Sequence, residues 1–253
     1  WAKHADGFHM SDKDLQFDAD IHKYSLKSDE SIKFTSTTTL IHNFFRKFDA
    51  EKIASNLIKN VPKYAGKKAE DLKQDWKKSA EAGTTIHNEI EDYINDPKVV
   101  LKHPKSLMAQ DFLNKLNPDW VVHTEAPLFS KELKVSGTAD LLIYNKDTDR
   151  YAIGDWKTNK KIYTRSYKNQ LGTASSTAHL MDCNFIHYSL QLSMYKYILT
   201  HYYGLNIDKL FIIHLAEMAY NKYDCEYLED EIVSMLDEWK KSNGNITEIT
   251  KGE

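Results

Sequence analysis

The stretch YAIGDWKTNKK, residues 151–161, decides how this chain is read. Apolar residues lead into Asp155, Trp156 follows, and the pattern stops at Lys157. In a strand, side chains two apart share a face, so Asp155 and Lys157 point the same way at a strand end. Fifteen residues upstream, SGTAD places Asp140 in a second strand-like segment, 134–145, with Gly137 just before it. The residues between, NKDTD, form a turn. If the two segments make a hairpin, Asp140 and Asp155 converge. Close carboxylates repel unless a cation sits between them, and hard oxygen donors select Mg²⁺ or Mn²⁺. Lys157 beside such a cation can hold an attacking water or neutralise a phosphate. The plain alternative is an exposed hairpin with cross-strand ion pairs, each contributing about 0.2–1 kcal/mol.

Outward from this hairpin, the period tells strands from helices. WVVHTEAPLFS (120–130) reads as a strand before the hairpin, and KLFIIHLA (209–216) as a fourth strand after it. HYSLQLSMYKYILTHYY (187–203) reads as a helix closed by Gly204, and LEDEIVSMLDEWKKS as a C-terminal helix. Residues 15–26 read as a short strand pair joined by an Asp-containing turn. FTSTTTLIHNFFRKF carries Ser/Thr caps before an apolar run, and DAEKIASNLIKN continues as helix up to Pro62. KKAEDLKQDWKKSAEAG is expected to end at Gly83, and TTIHNEIEDYIND to start a new helix. The expected fold is α/β, a mixed central sheet flanked by helices, with a helical N-terminal portion. One domain is expected over 1–253, with the helical portion at 1–82, the core at 83–216 and the C-terminal helix at 217–253.

On the helix after Gly83, His87 lies beside the Ile86/Ile90/Ile94 stripe and Glu91 is one turn further on. A histidine on an apolar face is usually a packed core residue. With two carboxylates awaiting a cation, His87 becomes a candidate third ligand, and Glu91 a candidate to orient it. Gln191 and Tyr195 are an i, i+4 pair on the 187–203 helix, where a packing stripe with Ile198 and Tyr202 is the simpler account.

Composition sets limits. Hydrophobic residues at 41% and charged residues at 28% are ordinary for a soluble globular chain. No apolar run is long enough to span a membrane, and WAKHADGFH before Met10 reads as a leader outside the fold. The two cysteines point to a reducing, intracellular compartment and cannot supply the four thiolates of an iron–sulfur cluster. No G-x-x-x-x-G-K-[ST] loop is present, so ATP dependence is not expected. The net charge of −3 means that any nucleic-acid contact must be local. From Trp156 to Met181 there is no Asp or Glu, while Lys157, Lys160, Lys161, Arg165 and Lys168 fall there with Tyr163 and Tyr167 between them. Such a stretch is either a solvated loop or a surface for phosphates and unpaired bases. Residues 158–186 are longer than an ordinary strand-to-helix link, and GTASSTA (172–178) suggests a mobile arch.

Taken in order, GTTIHNEIE, GTADLLIY, IGDWKTNK and QLSMY resemble the RecB-like branch of the PD-(D/E)XK nuclease superfamily, closest to its phage-type and mitochondrial-genome-maintenance-type exonucleases. FDADIHKYSL…FTSTTTLIHNFF is also similar to the start of viral members. The resemblance implies a restriction-endonuclease-like core. It implies His87, Asp140 and Asp155 as ligands of Mg²⁺ or Mn²⁺ with the Trp156 carbonyl beside them, and Lys157 as the catalytic lysine. It further implies that Gln191 and Tyr195 place the DNA backbone and the strand that carries the catalytic carboxylate, with Glu125 as a supporting acid. The activity implied is metal-dependent DNA exonuclease action from a free, single-stranded end, in replication, recombination or repair of a phage or similar genome, in the cytoplasm of an infected bacterium. The alternatives are a structure-specific or restriction-like endonuclease with the same site, and an inactive DNA-binding scaffold. The oligomeric state is not legible.

Overall fold

The computed structural model describes residues 14–18 and 23–249. The segment before Met10 that was expected to be a leader, and the centre of the first turn, lie outside the described residues. A hairpin, β1 (Leu15–Asp18) and β2 (Lys23–Leu26), opens the described chain. A two-residue strand, β3 (Thr35–Ser36), runs directly into α1 (Thr37–His42), whose cap is the Ser36 side chain accepting from the Thr39 N–H. The run after α1 does not continue as one helix. Asp49 caps a separate helix, α2 (Ala50–Asn60), by accepting from the Lys52 N–H. This is the usual use of a short acceptor side chain at a helix start.

The next helix, α3 (Ala69–Asn95), corrects the expected break at Gly83. It runs unbroken through that glycine, so a boundary at 82/83 falls inside a helix. The glycine is there for proximity. A Cβ at Gly83 would lie 2.9 Å from Thr158 Oγ1, just beyond the end of the catalytic-strand candidate. A helix, α4 (Pro104–Asn114), follows, started by Pro104 and capped by the His103 ring.

The three expected strands are present as β4 (Val121–Ser130), β5 (Val135–Asn145) and β6 (Arg150–Lys157). After a long connection come α5 (Asn184–Tyr203), β7 (Ile207–Leu215), β8 (Tyr220–Asp224) and α6 (Glu229–Ile249). The segment after 216 therefore holds a strand as well as the final helix. The six-stranded sheet is mixed: β4–β5, β5–β6 and β7–β8 are antiparallel, whereas β3–β5 and β6–β7 are parallel. Parallel neighbours need a crossover, and α5 supplies it between β6 and β7. The result is an α/β fold, a mixed sheet flanked by helices, consistent with a restriction-endonuclease-like core. Among the described residues no helix is long and apolar enough to cross a membrane.

Strand alternation sorts the core onto two faces. Leu142, Tyr144 and Ile153 pack with Leu40, Leu190, Met194, Ile198 and Ile232 from α1, α5 and α6. Leu141, Ile143 and Trp156 pack with Ile86, Ile90, Ala109 and Phe112 from α3 and α4. Residues 158–186 were expected to form a mobile arch; the last three belong to α5, and 158–183 form a strap pinned at several points. The Thr173 N–H and the Thr177 hydroxyl both donate to the Phe44 carbonyl, at 2.9 and 2.8 Å. The Ser176 N–H donates to Glu238 Oε1 at 2.7 Å, and Leu171 bridges Met181. The small residues of GTASSTA allow close packing, and Ser176 and Thr177 are buried.

Candidate active site

The site forms where β5 and β6 stop pairing. Their ladder runs from Asn145/Arg150 to Leu141/Gly154 and ends there. Beyond it, β6 keeps its pairing with β7 through Lys157, while the same edge of β5 turns to β3 at Val135 and Ser136. The two strands part like a V, with Asp140 and Asp155 as the first residues past the last pair. Asp140 fills the gap itself: its Oδ2 accepts the backbone N–H of Trp156 at 2.9 Å. A buried N–H that has lost its ladder partner is thus satisfied by a carboxylate.

Asp155 and Lys157 share the sheet face that carries α5. Lys157 Nζ lies 2.5 Å from Asp155 Oδ2 and 4.2 Å from the centre of the Tyr188 ring. Asp155 is only 2% exposed. Burial first, then the charge of Asp140, pushes its carboxyl up to about 7. Asp140 goes the other way. Burial opposes it, but the hydrogen bond and charge of His87 and the charge of Lys157 hold it below the usual carboxylate value. Burial also opposes the charge on Lys157, and the two aspartates outweigh that, raising it. Two neighbouring carboxyls with separated affinities for a proton are a common mark of acid–base or metal chemistry.

His87 arrives from α3 on the opposite face and meets the strands in the gap. Its Nε2 is 3.2 Å from Asp140 Oδ2 and 3.1 Å from the Trp156 carbonyl oxygen. Its Nδ1 donates to the Gly83 carbonyl at 2.8 Å. The orienting partner is therefore a main-chain carbonyl one turn back, and not Glu91. Burial disfavours the imidazolium, yet the hydrogen bond and charge of Asp140 raise its pKa to about 10. The Trp156 side chain points away from the site, 1% exposed, edge-on to Phe112 at 5.8 Å.

Glu91 and Glu125 line the same cleft, of about 720 Å³, together with His87, Asp140, Lys105 and Lys160. Glu125 has φ +47°, a left-handed conformation inside a strand, and the β4–β5 pairing is interrupted at Glu125 and Asp140 between Thr124/Leu141 and Ala126/Ala139. The register is the same on both sides, so no residue is inserted, and Glu125 stands directly opposite Asp140. Burial and then the charges of Asp140 and Glu91 push Glu125 up to about 8. Lys105 was not singled out in the sequence. Its Nζ donates to the Thr158 carbonyl at 2.7 Å and anchors the chain just past Lys157.

Gln191 Nε2 donates to the Tyr195 hydroxyl at 2.9 Å. The Tyr195 ring lies against the backbone of Gly137, where a Cβ would come within 2.5 Å of Cε1. The pair thus packs beneath β5, with Ile198 buried and Tyr202 exposed. Of the basic strap residues, Lys160 reaches the cleft, Lys161 lies over the Tyr163 ring at 5.1 Å, Arg165 is exposed, and Tyr167 and Lys168 face a different groove.

Among the described residues no three His, Cys, Asp or Glu side chains are gathered at metal-binding spacing. The donors that do converge are two side chains and a carbonyl: His87 Nε2, Asp140 Oδ2 and the Trp156 oxygen. Because Gly83 holds the proton on Nδ1, loss of the Nε2 proton would leave three lone-pair donors facing one another. A cation relieves that arrangement. The buried Asp155 Oδ2, which has no well-angled hydrogen bond, adds an oxygen donor of the same hard character.

No family model matches the chain, and no curated protein matches it. Among solved structures it is similar to the one titled "Crystal structure of SSO0001", with 14% identity over 83% of this chain and 75% of that one, at a TM-score of 0.39.

Proposed function

We propose that this protein is a metal-dependent deoxyribonuclease of the exonuclease type, acting on DNA from a free end. The observation that carries the reading is the cluster at the parting of β5 and β6. There His87, Asp140 and the Trp156 carbonyl face one point, with Asp155 and Lys157 beside it. Mg²⁺ or Mn²⁺, when bound, supplies Lewis-acid polarisation and a more acidic water. The chain's own groups do the rest. Gly83 fixes the ring of His87, Asp140 ties the parted strands to each other across the gap, and Lys157 brings a positive charge to a phosphate or orients a water. The cleft beside Asp140 is lined by the carboxyls of Glu91, Glu125, Asp140 and Glu217 with the ammonium groups of Lys105 and Lys160, a balance that a bound dication would turn towards a phosphate. The proposed setting is replication, recombination or repair of a phage-like genome.

The test is incubation of end-labelled single-stranded, duplex and circular DNA with Mg²⁺, Mn²⁺ or EDTA. Metal-dependent shortening of linear strands with circles left intact is the expected result. Cutting of circles would assign the site to an endonuclease. No cleavage with either metal would overturn the reading.

A further inference from the structure

A second concave surface lies on the other side of the first turns of α5. His187 faces it, while the next residue, Tyr188, faces Lys157. This groove, of about 1250 Å³, runs between the α1–α2 segment and the strap. Its walls carry Arg46, Lys47 and Lys52 from one side and Lys168 from the other. Among the described residues none of these four makes an ion pair with a carboxylate. The acids that are present are engaged: Asp49 caps α2, and Asp182 accepts from His187 Nε2 at 2.9 Å. Charge at the groove is therefore net positive in a chain that is net negative.

Two aromatic rings stand at its rim, Phe48 at 69% exposure and Tyr167 at 73%. Phe48 lies edge-on to Trp76 at 5.7 Å and Tyr167 has Lys168 over its ring at 5.3 Å, and both stay mostly open to solvent beside the groove's cations. Tyr167 and Lys168 are also held in place at a conformational cost. Lys168 and Asn169 both have left-handed φ, 51° and 53°, a conformation that asparagine takes readily and lysine does not. The turn is kept by the Ser166 hydroxyl and the Asp182 N–H, which both donate to the Gln170 carbonyl, at 2.6 and 2.9 Å.

Unpaired cations match phosphates, and exposed rings match unpaired bases, whose faces are hidden in a duplex. We propose that this groove is a second, non-cleaving binding site for single-stranded nucleic acid, which holds the strand at a distance from the phosphate being cut. The inference rests on the nuclease reading for its purpose, but its test does not.

The experiment measures binding of a labelled oligothymidylate of about 30 nucleotides in EDTA, across a salt series, by fluorescence anisotropy. The triple variant Arg46→Ala/Lys47→Ala/Lys52→Ala is expected to bind at least about 10-fold more weakly, with a log–log salt slope shallower by about 2, since each lost phosphate contact removes about 0.7. Phe48→Ala should weaken binding by about 5-fold to 100-fold through lost stacking. Mn²⁺-dependent hydrolysis of bis(p-nitrophenyl) phosphate, measured on the same samples, reports on the catalytic site alone and should be equal in wild type and the triple variant. Unchanged affinity and slope in the triple variant overturn the groove, as does a wild type that does not bind the oligonucleotide. An effect of the triple variant without one of Phe48→Ala leaves only a polyanion surface and overturns the single-strand assignment. Equal losses with a duplex do the same. Failure of wild type to hydrolyse the small phosphodiester counts against the nuclease reading and leaves the binding test standing.

Discussion

Asp140 Oδ2 accepts the Trp156 N–H at 2.9 Å across the point where their two strands part. One side chain thus has a structural duty as well as its proposed chemical one, and substitutions separate the two. Asp140→Asn keeps an acceptor for the N–H, whereas Asp140→Ala leaves a buried donor unpaired, at about 1–3 kcal/mol. Both variants are expected to be inactive, and the alanine variant to melt at the lower temperature. Equal melting temperatures would show that the N–H finds another partner.

Asp155→Ala and Lys157→Ala should each abolish cleavage with the fold retained. Loss of a charge at the reacting centre costs several kcal/mol of barrier, on the order of 10³-fold in rate. Rates on labelled linear DNA, with circular dichroism as the folding control, decide this. Wild-type turnover in either folded variant would remove that residue from the active site.

His87→Ala should shift the metal titration of activity far more than it shifts DNA binding. An imidazole nitrogen among oxygen donors suits Mn²⁺ better than Mg²⁺. The Mn²⁺ curve is therefore expected to move further. Curves that overlay the wild type for both metals would make His87 a packing residue.

Gly83→Ala probes the contact between α3 and the end of β6. In an exposed helix interior this change stabilises by about 1 kcal/mol. At Gly83 the new methyl would meet Thr158 Oγ1 at 2.9 Å. The gain is expected to be absent or reversed in wild type and restored in a Thr158→Ala background. A double-mutant cycle of urea melts measures this coupling. Additive effects would mean that the contact is slack.

Metal-free protein should lose stability as pH rises from about 6 to 8. Asp155 and Glu125 have ordinary values of 3.8 and 4.5 and sit at about 7 and 8 in the fold. The folded state therefore binds protons that the unfolded chain has released, and each pH step upward penalises it. His87 adds the same slope. Its ordinary value is 6.5 and its folded value about 10, so the stability from its protonation is complete below 6.5 and fades towards 10. The lowered Asp140 acts only at acid pH, outside this window. Millimolar Mg²⁺ should flatten the decline, because a bound dication takes the place of the protons. Melts in EDTA that rise from pH 6 to 8 would contradict this.

The strands β4, β5 and β6 were legible almost to the residue, because alternation and the NKDTD turn both act locally. The opposition of Asp140 and Asp155 followed from that hairpin. What escaped has identifiable causes. β8, YNKYD, lies at the edge of the sheet with little buried surface, so no alternation marks it. α4 had a readable start in His103 and Pro104, but its apolar residues are irregularly spaced. Gly83 looked like a helix end because a glycine used for close approach and one used for termination are the same letter. The left-handed φ of Glu125 and the carbonyl that holds His87 are properties of the assembled backbone. No single residue announces them.

The strap joins parts of the chain that are made at very different times. Its Thr177 reaches back 133 residues to Phe44, and its Ser176 reaches forward 62 residues to Glu238. Contacts that close such long loops form late, after local hairpins and helices are in place. A nascent chain that stops short of Glu238 would carry every proposed catalytic residue and still lack one anchor of the segment that leads away from Lys157. The final helix thus acts as the clasp on a belt. Proteolytic trimming from that end is expected to loosen the strap before it touches the sheet.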